Sequence, residues 1–403
     1  MDRLKAALVA LPLLAGPLAA QNDEGVQRIT RELAPQVERV VGLRFRRPPA
    51  VAVRSREQLR RYLERKVRAD YPPAELRGQE RAYKAFALIP DTADLLQLQL
   101  DVLQEQVAGF YDPDSTTLFV ISGGDPLVLR TVVAHELVHA LQDQYTRLNA
   151  ILKLRRQNDR QMAAQAVMEG QATVSGLLAL SPGATVTQLA QGWEQARRAL
   201  RDQQESFEQL SRLPLILRES LLFPYVDGAD FMIAFEGRRA TPEEQPYGDR
   251  LPASTEQVLH PSRYTAHELP ARLTFPPPAR GDTLIYDDDF GEFETRVALR
   301  TWSIGEADAL VAASGWNGDR YEVLGAPSGT VVLWASAWDT APDAAEFARA
   351  LRAGWTRGPG RAAGRRWRVD ETTSGGVSLV RLVDAPNAWA GWARVPEVRV
   401  ERR

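Results

Sequence analysis

The chain of 403 residues contains no cysteine. That excludes a disulfide framework, a thiolate metal site and a lipid-modified cysteine, so any metal ligands have to be His, Asp or Glu. Lysine is scarce as well, occurring only at positions 5, 66, 84 and 153, and the basic residues are otherwise all arginine. Against 50 basic residues stand 52 acidic ones, a formal charge of -2. No global field draws in nucleic acid or an anionic membrane, and nucleic acid is not an expected partner. Specific binding has to come from a local site. Long apolar runs are missing after residue 20, so no later segment is a candidate transmembrane helix.

What is present fits a folded chain with a hydrophobic content of 44% and a length suited to two domains. The opening MDRLKAALVALPLLAGPLAA places Arg3 and Lys5 before a short apolar run, then Gly16, Pro17 and small residues. It reads as a secretory signal peptide over residues 1–20, with an uncleaved anchor as the alternative. The expected location is therefore secreted or periplasmic.

Helical spacing is expected over 24–40, 55–68 and 92–106, with Ser55 and Gln58 as a capping box and VAVRS (51–55) as a short strand. VAGFYDPDSTTLFVIS (107–122) reads as a hairpin around a DPDS turn. Asp125 and Pro126 then open a helix to about Tyr145, and further helices are expected at 159–180 and 187–212. FPPPARGD (275–282) is stiff and helix-breaking, which puts a linker at 275–284 between a mainly helical domain (21–274) and an α+β C-terminal domain (285–403). In that second part, strands are expected at 295–300, 320–325, 329–336 and 377–383, with helices near 305–314 and 341–354. The fold class is α+β.

Within the helix opened by Pro126 lies HELVHALQDQY. Positions i and i+4 of a helix share a face, so His135 and His139 can present ring nitrogens to one ion. Glu136 sits beside them, placed as a base acting on water rather than as a ligand. Neutral imidazoles hold zinc, and zinc lowers the pKa of a water toward about 7, where a carboxylate can take its proton. The alternative is a core helix with two satisfied histidines. Only four histidines occur in the chain, which makes this spacing around a glutamate a rare accident. No third histidine follows at the HExxHxxGxxH position. VMEGQAT offers Glu169 instead, among Ala163, Ala166, Val167 and Met168, where a carboxylate needs a partner. Gly170 would let its helix approach the first closely.

HELVH followed by EGQAT resembles the gluzincin branch of zinc metallopeptidases. By that resemblance His135, His139 and Glu169 are the Zn2+ ligands, Glu136 is the general base, and residues 117–122 form a sheet edge that pairs with an extended peptide or protein substrate. GFYDP, HELVHALQDQ, EGQAT and STEQVLHPSRY are also similar to a group of secreted bacterial zincin-like proteins. The motifs cover about 107–264 and say little about 285–403. Gluzincins often carry an Asp one turn after the ligand glutamate, where this chain has Thr173. Asp143, one turn after His139, is a candidate acceptor for an imidazole N–H in its place.

His260 and Tyr264 lie in PASTEQVLHPSRYTAHELP, with Ser254 and Gln257 as a capping box. Either could donate to the oxyanion of a tetrahedral intermediate; the alternative is a turn docked on the catalytic core. His267 reads as a surface residue. FPYVDGADF (223–231) reads as a structural turn between helices, DDDF (287–290) as a solvated loop and TRGPGRAAGRRWR (356–368) as an exposed connection. The expected function is hydrolysis of peptide bonds with Glu136 as general base. The rival is a non-catalytic envelope protein that keeps a zinc site as scaffold and binds partners through its C-terminal domain.

Overall fold

In a computed structural model of the full chain, residues 23–70, 72–122, 126–152, 154–205 and 208–401 are described. The expected signal segment and the expected cap at Asp125 lie outside them. The order of the first half is α1 (Asp23–Val41), β1 (Ala50–Arg54), α2 (Arg56–Asp70), α3 (Pro73–Ala85), α4 (Leu95–Gln106), β2 (Gly109–Asp112), β3 (Thr117–Ile121), α5 (Pro126–Gln142), α6 (Leu148–Leu152) and α7 (Asn158–Leu180). Then come α8 (Val186–Glu205), α9 (Glu208–Ser211), α10 (Leu215–Glu236), α11 (Thr255–Leu259), α12 (Pro261–Thr265) and β4 (Arg272–Thr274). The rest holds β5 (Thr283–Asp288), α13 (Gly291–Thr301), α14 (Glu306–Ala313), β6 (Trp316–Ala326), β7 (Gly329–Trp338), α15 (Ala341–Arg357), β8 (Arg365–Ser374), β9 (Val377–Pro386) and β10 (Arg399–Glu401). The class is α+β, with a C-terminal sheet.

α7 is the centre of the helical part. After its first turn it has small and apolar residues on every side with few charges among them, and it is buried without a break from Gln161 to Gly176. Packed against it are α5, α1 and α10. Gly170 and Gly228 make the crossing with α10 possible: a Cβ on Gly170 would lie 2.1 Å from the Gly228 carbonyl oxygen, and one on Gly228 2.1 Å from that of Ala166. The close approach expected of Gly170 is thus to α10. The contact with α5 falls at Gly176, opposite the His135 backbone.

The small sheet overturns one expectation. Its order is β1-β3-β2, so β3 is the central strand. β1 pairs with it in parallel from Ala50↔Thr117 to Arg54↔Ile121, and β2 pairs on the other side. The stretch at 117–122 is therefore no free edge, because VAVR of β1, distant in sequence, has taken that side. β2 is at a sheet edge, but all four of its residues are buried.

The C-terminal sheet runs β5-β6-β7-β9-β8, antiparallel throughout. Three local readings need correction. Residues 295–300 are helical within α13, since Phe293 and Val297, four apart, belong to one buried face. FPYVDGADF makes no turn but lies inside α10, with Pro224 in the helix. The arginine-rich stretch enters β8 at Arg365, whose guanidinium bonds the Asp384 carboxylate at 2.7 Å.

Packing continues across the boundary expected at 275–284. Phe223 of α10 stacks on Phe293 of α13, with centroids 4.1 Å apart, and Phe86 meets Phe290, Tyr321 and Trp334 edge-on. DDDF is not solvated. Asp288 accepts the Asn158 amide at 3.0 Å and Asp289 the Asp159 amide at 2.7 Å, so the C-terminal part caps the start of α7. Two of the orphan N–H donors of that helix are satisfied this way, by charges suited to a helix N-terminus.

The glycine crossing gives a direct test. Gly170→Ala forces two helix backbones apart and should lose about 1–3 kcal/mol or more of stability. Gly192→Ala, on the exposed face of α8 with open space around it, should gain roughly 0.5–1 kcal/mol from helix propensity. Chemical denaturation of both variants checks the pair, and equal effects would contradict the packing.

Candidate metal centre

His135 and His139 lie one turn apart on α5 with their Nε2 atoms 3.2 Å from each other. From α7, Glu169 brings Oε2 to 3.3 Å from His135 Nε2 and 3.4 Å from His139 Nε2. All three side chains are buried, with exposures of 1%, 4% and 3%. They form a group able to hold a metal ion. The sides of the triangle, 3.2 to 3.4 Å, suit three ligand atoms bound to one ion.

The electrostatics call for a cation at this point. Burial would raise the Glu169 carboxyl, but the facing imidazoles hold it below the ordinary value. His139 is pulled down by burial yet ends up raised, to about 9, by the Glu169 charge and hydrogen bond. His135 is lowered to about 4, mainly by burial. A buried carboxylate facing two imidazoles is a setting that a metal cation would suit. Glu169 Oε2, 3.3 and 3.4 Å from the two Nε2 atoms, is the oxygen directed at the triangle.

The orientation of His139 follows from its neighbours. Gln142 Nε2 donates to the Met168 carbonyl and to Gln171 Oε1, both at 3.0 Å. Because a carbonyl can only accept, the nitrogen of Gln142 must face α7, and Oε1 must face the imidazole. That oxygen is 2.8 Å from His139 Nδ1. Nδ1 therefore carries a hydrogen, and Nε2 is the ring nitrogen turned toward the triangle. The chain of amides continues as Gln171 Nε2 donates to Gln245 Oε1 at 2.7 Å and Gln245 Nε2 to the Val41 carbonyl at 2.8 Å. Asp143, the acceptor expected from the sequence, is instead bonded by the Tyr111 hydroxyl at 2.9 Å. Positions i+3 and i+4 both lie near His139, and it is Gln142, at i+3, whose amide reaches the imidazole. That i+3 spacing is the signal that could have found it.

Glu136 lies beside the triangle and outside it. Its carboxylate accepts the Tyr111 backbone N–H, and burial above all pushes it up to about 8. Oε2 has no hydrogen-bond partner. The Tyr225 ring, in the misread FPYVDGADF, lies nearly parallel to His135 with centroids 6.1 Å apart.

His260 and Tyr264 have other partners. His260 Nε2 is 2.9 Å from Glu292 of α13, a contact that raises its pKa. The Tyr264 hydroxyl donates to the Arg250 carbonyl at 2.8 Å, and its ring meets Phe231 edge-on. The docking role accounts for both. His267 adopts a positive φ of 54° just after α12.

Residues 283–394 match a family described as a domain of unknown function (DUF8575). No curated protein and no solved structure matches the chain. The matched region contains β5 to β9 and both α7-capping aspartates, but none of the triangle.

Removing the Gln142 acceptor frees the His139 ring. Gln142→Leu, of similar size, should fold and yet weaken metal affinity by about 10–100-fold, while Gln142→Glu keeps it. Competition with a chromophoric chelator reads this out; unchanged affinity in the leucine variant would remove Gln142 from the site.

Proposed function

We propose that the chain is a zinc-dependent hydrolase of peptide bonds. One observation carries the reading: a buried His135–His139–Glu169 triangle with a carboxylate, Glu136, beside it and outside it. A structural zinc would have no use for that extra carboxylate. Zinc, when bound there, supplies a Lewis acid for the scissile carbonyl and a lowered pKa for a water.

His135, His139 and Glu169 hold the ion, and Gln142 keeps His139 turned toward it. Glu136 takes a proton from the attacking water and returns it to the leaving amine, so its carboxylate is regenerated at the end of the turnover. The Tyr111 N–H holds that carboxylate in place from β2. The likeness of HELVH and EGQAT to the gluzincin motifs supports the peptide bond as the substrate. The signal-like opening supports a secreted or periplasmic location, and no helix among the described residues is long and apolar enough to cross a membrane. The route along residues 117–122 is not part of the proposal, since that strand is internal.

Glu136→Gln keeps shape and ligands but removes the base. The variant should hold about one zinc per chain, like wild type, and lose peptide hydrolysis by at least about 10²-fold. Digestion of a mixed peptide library, with metal content measured in both proteins, is the test. His139→Ala should lose the zinc. If wild type carries zinc and cuts no peptide, the scaffold reading replaces this one.

A further inference from the structure

A second convergence of acids lies away from the imidazoles, where the turn after α11 meets the end of β7. Oxygen atoms of Glu256, Glu268 and Asp339 all lie within 4.8 Å of one another. One cation is already among them. Arg263 bonds both Glu268 oxygens, at 2.7 and 2.6 Å, and Asp339 Oδ2 at 2.6 Å. Asp339 Oδ1 accepts from Asn317 at 2.8 Å. A single guanidinium against three carboxylates leaves a deficit of positive charge.

Glu256 is the side chain that the guanidinium leaves out. It is 2% exposed, and no described residue gives its carboxylate a hydrogen bond or an ion pair. Its nearest charges make matters worse: Glu292, Asp339 and Glu268 all repel it, and only Arg263 attracts. Glu292, whose Oε1 holds His260, itself has a buried Oε2 without a partner. A carboxylate buried beside other carboxylates is costly unless a positive charge, a proton or water joins it.

We propose that Glu256, Glu268 and Asp339 form a binding site for a hard divalent cation of the calcium type. The donor set is all oxygen, as calcium prefers and zinc does not. Calcium takes oxygens at about 2.3–2.6 Å, so its ligands stand up to about 5 Å apart, and the three carboxylates fit within that span. Arg263 bonds both Glu268 oxygens and Asp339 Oδ2, so the ion would share those two carboxylates with the guanidinium and supply the charge that Glu256 lacks. Asp339 follows β7 in the region matched to DUF8575, whereas Glu256 and Glu268 belong to the segment before it. The ion would thus tie the two regions together beside the His260–Glu292 contact. This inference is independent of the zinc reading.

The test uses the full chain as purified and calcium chloride as the probe. Thermal unfolding in 5 mM calcium, against sodium chloride at matched ionic strength, should rise by at least about 2 °C, and titration calorimetry should show one site with a Kd near or below about 10⁻³ M. Glu256→Gln removes the unsatisfied charge, so the variant should fold and lose the calcium response. Asp339→Asn is the second variant and should lose it too. His139→Ala, which empties the imidazole site, should keep it. A wild type that responds to calcium no more than to sodium overturns the proposal. So does a calcium response that persists in both acid variants or vanishes in His139→Ala.

Discussion

The structure depends on one carboxylate placed where a carboxylate is least welcome. Glu169 sits midway along the most buried helix of the chain, at 3% exposure, with apolar or small residues before and after it. Such a charge persists only opposite a compensating one. α5 provides it through two imidazoles at 3.3 and 3.4 Å. Everything near the site can be read as a means of holding α5 and α7 in that register: Gly176 lets the helices meet at His135, the Gln142 amide bonds across to the Met168 carbonyl, and α1 receives the far end of the glutamine chain at Val41.

The same helix explains why the C-terminal region is not an appendage. Its first turn would leave bare N–H groups inside the protein, and Asp288 and Asp289 cover two of them. Those aspartates are in turn supported by Asp319, one strand away. It gathers the Phe290 and Gly291 amides and the indole N–H groups of Trp316 and Trp334. A carboxylate with four donors fixes the DDDFG turn firmly, and the turn fixes α7. The region matched to DUF8575 therefore helps set where the helix that carries Glu169 begins.

Much of this was legible in the sequence wherever a signal was local. The HELVH spacing, the apolar setting of Glu169, the hairpin after residue 107 and most helix limits follow from periodicity and from turn and cap chemistry. The Ser55–Gln58 capping box forms as expected, with both reciprocal bonds. What failed was non-local. Nothing in TLFVI says that VAVR will pair with it in parallel, so a central strand read as an edge. DDDF looks like any acidic loop until its partner, a helix start more than a hundred residues earlier, is known. RRWRV, rich in arginine, read as exposed because the acceptors that let it join a sheet, such as Asp384, lie on the neighbouring strand.

The two glutamates of the site show how position along a helix divides their tasks. Both are buried to within a few per cent, so burial cannot distinguish them. Their partners do. Glu169 faces two imidazoles from another helix, so its charge is fully committed and its free energy depends on whatever cation sits between them. Glu136 shares a helix with those imidazoles but is turned one residue away, so it reaches only a backbone N–H and keeps one oxygen unengaged. A carboxylate with a free oxygen can exchange a proton, and one locked into a ligand set cannot. The offset of a single residue between His135 and Glu136 is thus enough to put one side chain in the triangle and leave the other beside it with an oxygen unengaged.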